Sequence, residues 1–172
     1  MAKPAESVAA KPARSAGPAW RVRRARPSDG AAIAALGAAA FARGWSRASI
    51  AAELASPDGE AWALASPDPA RAIDGFLLAR RVPGAGAGGI EVLLLAVREE
   101  LRRRGGASAL LGALLQEARR AGLGWIQLDV RAQNRAAIDL YLRHGFAVVG
   151  RRPRYYEARE DAILMSLALE EV

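Results

Sequence analysis

The run Arg102-Arg103-Arg104-Gly105-Gly106-Ala107-Ser108 stands between two apolar stretches. Before it, Glu91-Val92-Leu93-Leu94-Leu95-Ala96-Val97 is nearly continuous in apolar residues, as expected of a strand buried on both faces. After it, Leu110, Leu111, Leu114, Leu115 and Ala118 recur at helical spacing as far as Gly122. A strand that passes through small residues into a helix can hold phosphate. The small residues let the backbone come close, and the helix start offers unpaired N–H groups at a positive dipole end. Arg102, Arg103 and Arg104 add charge. No Gly-Lys-Ser/Thr closes the turn and no three-glycine dinucleotide fingerprint is present, so neither of those nucleotide loops is implied. Taken alone, the same residues also read as a basic, solvated turn ahead of an amphipathic helix.

Other residues able to do chemistry are few. The chain has no cysteine, which excludes thiolate metal sites and a Cys nucleophile and suits a reducing cytoplasm. Its one histidine, His144, leaves little scope for a Ser–His relay or His-based metal ligation. By the two-residue period of a strand, Glu91, Leu93, Leu95 and Val97 share one face. An acid opening so apolar a run is expected to be partly desolvated; a solvated strand end is the alternative. Tyr141 reads as a core tyrosine on an apolar helix face, Asn134 as a helix N-cap, and Ser108 as a first-turn residue satisfying a backbone N–H. His144 precedes Gly145 at a helix end, where a cation is favoured, and is expected at the surface.

These residues need elements to position them. Trp20–Ala25 alternates as a first strand, and Ser28 or Asp29 can cap a helix carrying Ile33, Leu36 and Ala40. Ser46 or Ser49 can cap a second helix with Ile50 and Leu54. Ala61–Ala65 and Ile73–Arg81 read as strands, and Gly84–Gly89 as a flexible hairpin loop. Trp125–Val130 is the next strand, Ala136–Arg143 a helix stopped by Gly145, and Phe146–Gly150 with Ala162–Leu169 a closing pair. The alternation means an α/β fold with at least one parallel crossover. At 172 residues the chain fits one domain, expected over 19–172, behind a disordered tail over 1–18 rich in Ala, Pro, Lys and Ser. No apolar run approaches the ~20 residues that span a bilayer. The net charge of +7 points to an anionic partner, either a nucleotide cofactor or an RNA-rich assembly.

Read with its flanks, the glycine turn resembles a known family. Arg102-x-x-Gly105-x-Ala107 is similar to the pyrophosphate loop of the GNAT acetyltransferases, with Leu95-Ala96-Val97 ending the strand before it. Leu128-Asp129-Val130-Arg131-x-x-Asn134-x-x-Ala137-Ile138-x-Leu140-Tyr141 resembles the second half of that cofactor site, and Gly145-Phe146 stands where the family has a Gly-Phe pair. Phe41-x-x-x-Trp45-Ser46, Arg151-Arg152-Pro153-x-Tyr155-Tyr156 and Glu160–Met165 resemble the RimI type within it. The resemblance covers roughly residues 20–170. It implies a mixed, largely antiparallel central sheet with one parallel pair splayed at the cofactor site and helices on its flanks. It implies acetyl-CoA as cosubstrate, without a metal. Backbone of Leu95, Ala96 and Val97 would bind the acetyl and pantetheine. Arg102, Arg103, Arg104, Gly105, Gly106, Ala107 and Ser108 would hold the pyrophosphate, and Asn134 would contact the cofactor further along. Tyr141 would be the general acid, Asp129 or Glu91 the base, and Trp45, Tyr155 and Tyr156 the acceptor walls. The implied acceptor is a protein N-terminus, the N-terminal alanine of a small-subunit ribosomal protein, with no membrane and no dedicated nucleic-acid site. An α-amine, with pKa near ~8 against ~10.4 for lysine, also asks less of a weak base. A GNAT enzyme acting on a small amine or lysine, and a non-catalytic acetyl-CoA-binding module, share the same cofactor motifs.

Overall fold

The computed structural model describes residues 20–41, 45–84 and 86–169. The tail expected over residues 1–18 lies outside them. In chain order the elements are β1 (Val22–Arg24), α1 (Gly30–Ala40), α2 (Arg47–Ala55), β2 (Gly59–Ala65), β3 (Ile73–Val82) and β4 (Gly89–Val97), followed by α3 (Gly106–Arg120), β5 (Trp125–Arg131), α4 (Arg135–Arg143), β6 (Ala147–Tyr156) and β7 (Glu160–Ala168). The strands form one sheet in the order β1-β2-β3-β4-β5-β7-β6. Only β4 and β5 run parallel, and α3 is the crossover that this direction requires.

The sheet has a helical layer on each face. Leu110, Leu111 and Leu114 of α3 pack on Leu77, Ile90, Ile126 and Leu128, a cluster that also takes in Tyr141 of α4. Ile33 of α1 and Ile50 of α2 pack on Phe76, Leu78 and Leu94 from the opposite side. Strand β4 serves both cores, which is why its sequence is apolar apart from Glu91. Ser46 caps α2 by accepting from the Ser49 amide at 3.0 Å. Asp29 is buried instead of capping α1 with its side chain. It pairs with Arg23 at 2.7 Å and accepts from the Arg26 amide.

A bulge in β4 changes which residues share a face. Leu78 opposes Leu94 but Ala79 opposes Val92, so Leu93 is the extra residue. Ile90 and Val92 therefore face the α3 side, whereas Leu94 and Ala96 face α1 and α2. Glu91 thus shares its face with Leu94 and Ala96, not with Leu95 and Val97 as strict alternation predicts. It is also exposed, contrary to the expected desolvation.

The parallel pairing is short. It joins Gly89–Val92 to Trp125–Leu128 and goes no further. Gly89 permits even this approach, because a Cβ there would stand 2.1 Å from the Trp125 ring. Beyond Val92, β4 keeps only β3 as a neighbour, while β5 keeps β7. A wedge opens between them, edged by β4 backbone with no strand to pair with.

Strand β6 is longer than its sequence suggests. It runs on from the expected end at Gly150 through Pro153 to Tyr156, so Tyr155 and Tyr156 lie in the strand and not between strands. It is an edge strand, where proline costs no ladder bond, and its register against β7 shifts twice.

Candidate active site

The wedge between β4 and β5 meets the start of α3. Gly105 precedes that helix at φ +87°, and Arg103 stands at φ +59°, so the loop turns through two left-handed residues. The first backbone bond on the helix side runs from the Ala109 amide to the Gly105 carbonyl. Among the described residues, the amides from Arg103 to Ser108 have no backbone acceptor. They form a cluster of donors at the positive end of a 15-residue helix.

One cavity of about 720 Å³ joins these pieces. Strand β4 lines it with Leu95, Ala96 and Val97, and the loop with Arg102, Arg103, Gly105 and Gly106. Ala107 and Ser108 of α3 continue the wall, and Asn134 and Tyr141 close it from α4. Arg104 alone of the expected loop residues does not line it; its carbonyl accepts the Trp20 indole N–H at 2.7 Å. Arg102 folds back so that its Nε donates to the Val97 carbonyl at 3.3 Å. Asn134 caps α4, its Oδ1 accepting from the Ala137 amide at 3.2 Å. The cavity suits a long anionic ligand: donors and arginines at one end, an open strand edge along the side, and a phenol within.

That phenol is Tyr141. It is 7% exposed and packs on Phe146 with ring centroids 5.6 Å apart. Burial, and then Tyr156, push its pKa up to about 12, so it stays protonated at neutral pH. Among the described residues its hydroxyl has no hydrogen-bond partner, and it is not sealed off as a buried orphan. The proton is therefore available to something in the cavity.

A second group gathers on the sheet face away from α3. Asp129, the first β5 residue past the parallel pairing, accepts from Arg152 of β6 at 2.8 Å. The Arg152 guanidinium lies 5.4 Å from the Tyr155 ring, Tyr155 meets Tyr156 edge-on at 5.1 Å, and Arg131 stacks over Tyr156 at 4.3 Å. Burial, with the Asp129 carboxylate next, pushes the Tyr156 phenol up to about 12. Three residues singled out separately from sequence, Asp129, Tyr155 and Tyr156, thus form one cluster. Glu91 shares this face but stands apart from the cluster, in register with Arg80 and Gln127. Neither acid lines the cavity. Trp45 packs with Phe41 and Leu93 against the core under α1 and α2, and Phe41 reaches the cavity wall.

Sequence reading missed several lining residues. Ala137 and Leu140 follow from the helical spacing of Asn134 and Tyr141, and Ala136, Asp139 and Arg143 from the neighbouring stripe of α4. Phe41 carried no such signal of its own. His144 is half-buried, not at the surface, and its Nε2 lies 3.1 Å from Ser108 Oγ. Burial, then Arg143, holds its imidazole below the ordinary value. Among the described residues no group of three His, Cys, Asp or Glu side chains is placed to hold a metal. No described helix is long and apolar enough to cross a membrane.

A splayed parallel pair leading into an anion-ready helix start, with a protonated phenol alongside, makes an α/β site suited to a long anionic cofactor. The model of the acetyltransferase (GNAT) family matches residues 31–146; the chain belongs to that family and is an acetyl-CoA-dependent N-acetyltransferase. It is similar to the ribosomal-protein-S18-alanine N-acetyltransferase from Escherichia coli, at 26% identity and a TM-score of 0.78, covering 89% of this chain and 96% of that one. Its fold is also similar to that of Arabidopsis thaliana NAA60 in complex with a bisubstrate analogue, at 22% identity and a TM-score of 0.81 over 89% and 99% of the two chains. For Ard1 from Thermoplasma volcanium the identity is 24% and the TM-score 0.76, again over 89% and 99%. A stretch of 46 residues is 54% identical to an uncharacterized protein of Mycobacterium leprae (strain TN); it spans 26% of this chain and only 13% of that protein.

Proposed function

We propose that the enzyme acetylates the N-terminal α-amine of a protein, with a small-subunit ribosomal protein beginning in alanine as the narrower candidate and the cytoplasm as its place of action. One observation carries the reading: a buried, protonated Tyr141 hydroxyl, without a partner among the described residues, opens into the same cavity as the unpaired amides of the α3 start. The likeness to the Escherichia coli enzyme supports the choice of acceptor.

In this reading the Arg103–Ser108 amides and the neighbouring arginines hold the pyrophosphate of acetyl-CoA. The unpaired edge of β4 at Leu95, Ala96 and Val97 aligns the pantetheine and polarises the thioester carbonyl. The acceptor amine enters from the Asp129 side of the wedge, between Tyr155, Tyr156 and the Phe41–Trp45 wall. Asp129 takes the amine proton through water, since Arg152 already holds the carboxylate. As the carbon–nitrogen bond forms and the carbon–sulfur bond breaks, Tyr141 gives its proton to the departing sulfur. An α-amine, losing its proton near pH ~8, suits so restrained a base better than lysine does.

The test is acetyl transfer followed by mass spectrometry on two peptides. One begins with a free alanine and lacks lysine; the other has a blocked terminus and an internal lysine. Acetylation of the first alone is expected. Acetylation of only the second, or of neither, would leave a GNAT enzyme with another acceptor, such as a small amine.

A further inference from the structure

We propose that His144 is a positioning residue for the cofactor pyrophosphate: it turns the Ser108 hydroxyl toward the cavity and couples pyrophosphate binding to a proton. The proposal rests on the reading of the α3 cavity as the acetyl-CoA site.

Ser108 is the third residue of α3 and lines the cavity; His144 ends α4 and does not. Their side chains meet at 3.1 Å, joining the start of one helix to the end of the other. The His144 amide bonds to the Leu140 and Tyr141 carbonyls, which fixes the ring's backbone. A phosphate oxygen can only accept hydrogen bonds, so Ser108 can serve it only by donating its hydroxyl proton. The Ser108 oxygen must then accept from His144, which requires a proton on Nε2. The neutral ring with its proton on Nδ1 does the reverse: it draws the Ser108 proton to itself and turns oxygen lone pairs toward the anion. Imidazolium always donates from Nε2, and it adds a positive charge behind Ser108.

The surroundings leave this proton free to respond. Burial, and then the charge of Arg143 on α4, hold the ring below the ordinary imidazole value. From α3 it is faced by Ser108. Arg102 and Arg103 of the loop and Asp139 of α4 line the same cavity, and β7 presents apolar Leu167 to the adjoining Gly145. A bound pyrophosphate favours the imidazolium and raises its pKa in the complex. Affinity must then rise as pH falls through the window between the complex and free values.

The test is calorimetric titration with 3′-dephospho-CoA between pH 8 and pH 5.5. This probe lacks the phosphate monoester, whose second ionisation near pH ~6 would itself vary with pH. The wild-type protein is expected to bind about three- to tenfold more tightly at the acid end, as a pKa rise of ~0.5–1 unit requires. His144→Asn should flatten that dependence while keeping the melting temperature close to wild type. Flat wild-type binding, or the same slope in His144→Asn, would overturn the role given to His144. No binding of the probe at any pH would instead remove the reading of the cavity on which the proposal stands.

Discussion

Tyr141 shows what one residue must reconcile. Its ring is part of the core, yet among the described residues its hydroxyl has no partner beside the cavity. Loss of a positioned acid costs ~10²–10⁴ in rate. Tyr141→Phe should therefore lower kcat about 100-fold while the Kd for acetyl-CoA, read by calorimetry, changes less than about threefold. Equal loss of both would make Tyr141 structural. The pKa near 12 sets a second expectation. A raised pKa keeps the acid protonated until pH approaches that value, so kcat should show no alkaline fall from Tyr141 below about pH 11. An alkaline limb near pH 9–10 that vanishes in Tyr141→Phe would contradict the burial. The acids make a paired prediction. Asp129 stands where the wedge begins, in a cluster with two tyrosines, whereas Glu91 is exposed beside Gln127. Asp129→Asn should cut kcat/KM about tenfold or more, and Glu91→Gln about twofold at most. The reverse order would move the base to β4.

At the scale of elements, the proposed role of the loop between β4 and α3 falls to its backbone. Gly105 has φ +87°, and a Cβ there would meet only the Trp20 indole nitrogen at 3.9 Å, so a larger residue is opposed by conformation more than by a clash. Gly105→Val would strain that turn by ~1–3 kcal/mol or straighten it. Acetyl-CoA binding should weaken at least tenfold, and unchanged affinity in a variant that still melts cooperatively would refute the loop's role. This loop was legible in the sequence because everything it needs is local: an apolar strand, small residues, then a helical repeat. Helix α4 was legible for the same reason, from the Asn134 cap to the left-handed Gly145. The bulge at Leu93 was not. Leu93, Leu94 and Leu95 are identical in type, and only pairing with β3 decides which of them is extra. Nor was the far half of β6, since Arg-Arg-Pro-Arg carries no apolar alternation and is a strand through its pairing with β7. The Arg152–Asp129 contact was hidden with it, because it depends on that pairing. His144 was placed at the surface because helix-end chemistry says nothing of the helix packed against it.

Across the whole molecule, charge ties the sheet to α3 on the flank away from the wedge. Glu60 of β2 is buried and holds both Arg24 of β1 and Arg81 of β3, while the same arginines reach Glu117 of α3. Both arginines are partly exposed and can hydrate when Glu60 is removed, so the loss is about 1–3 kcal/mol, that of hydrogen bonds to a charged group. Glu60→Leu should lower the melting temperature by roughly 2–12 °C, at ~2–4 °C per kcal/mol, and no measurable shift would show the network to be solvated. The central claim concerns the other end of the molecule, where the wedge is held to pass an α-amine to the thioester. Its most direct test is one peptide with a free N-terminal alanine and an internal lysine, incubated with acetyl-CoA and the enzyme, the acetyl group then located by tandem mass spectrometry. Acetyl is expected on the alanine nitrogen, formed about 100-fold more slowly by Tyr141→Phe; acetyl on the lysine side chain would contradict transfer to an α-amine.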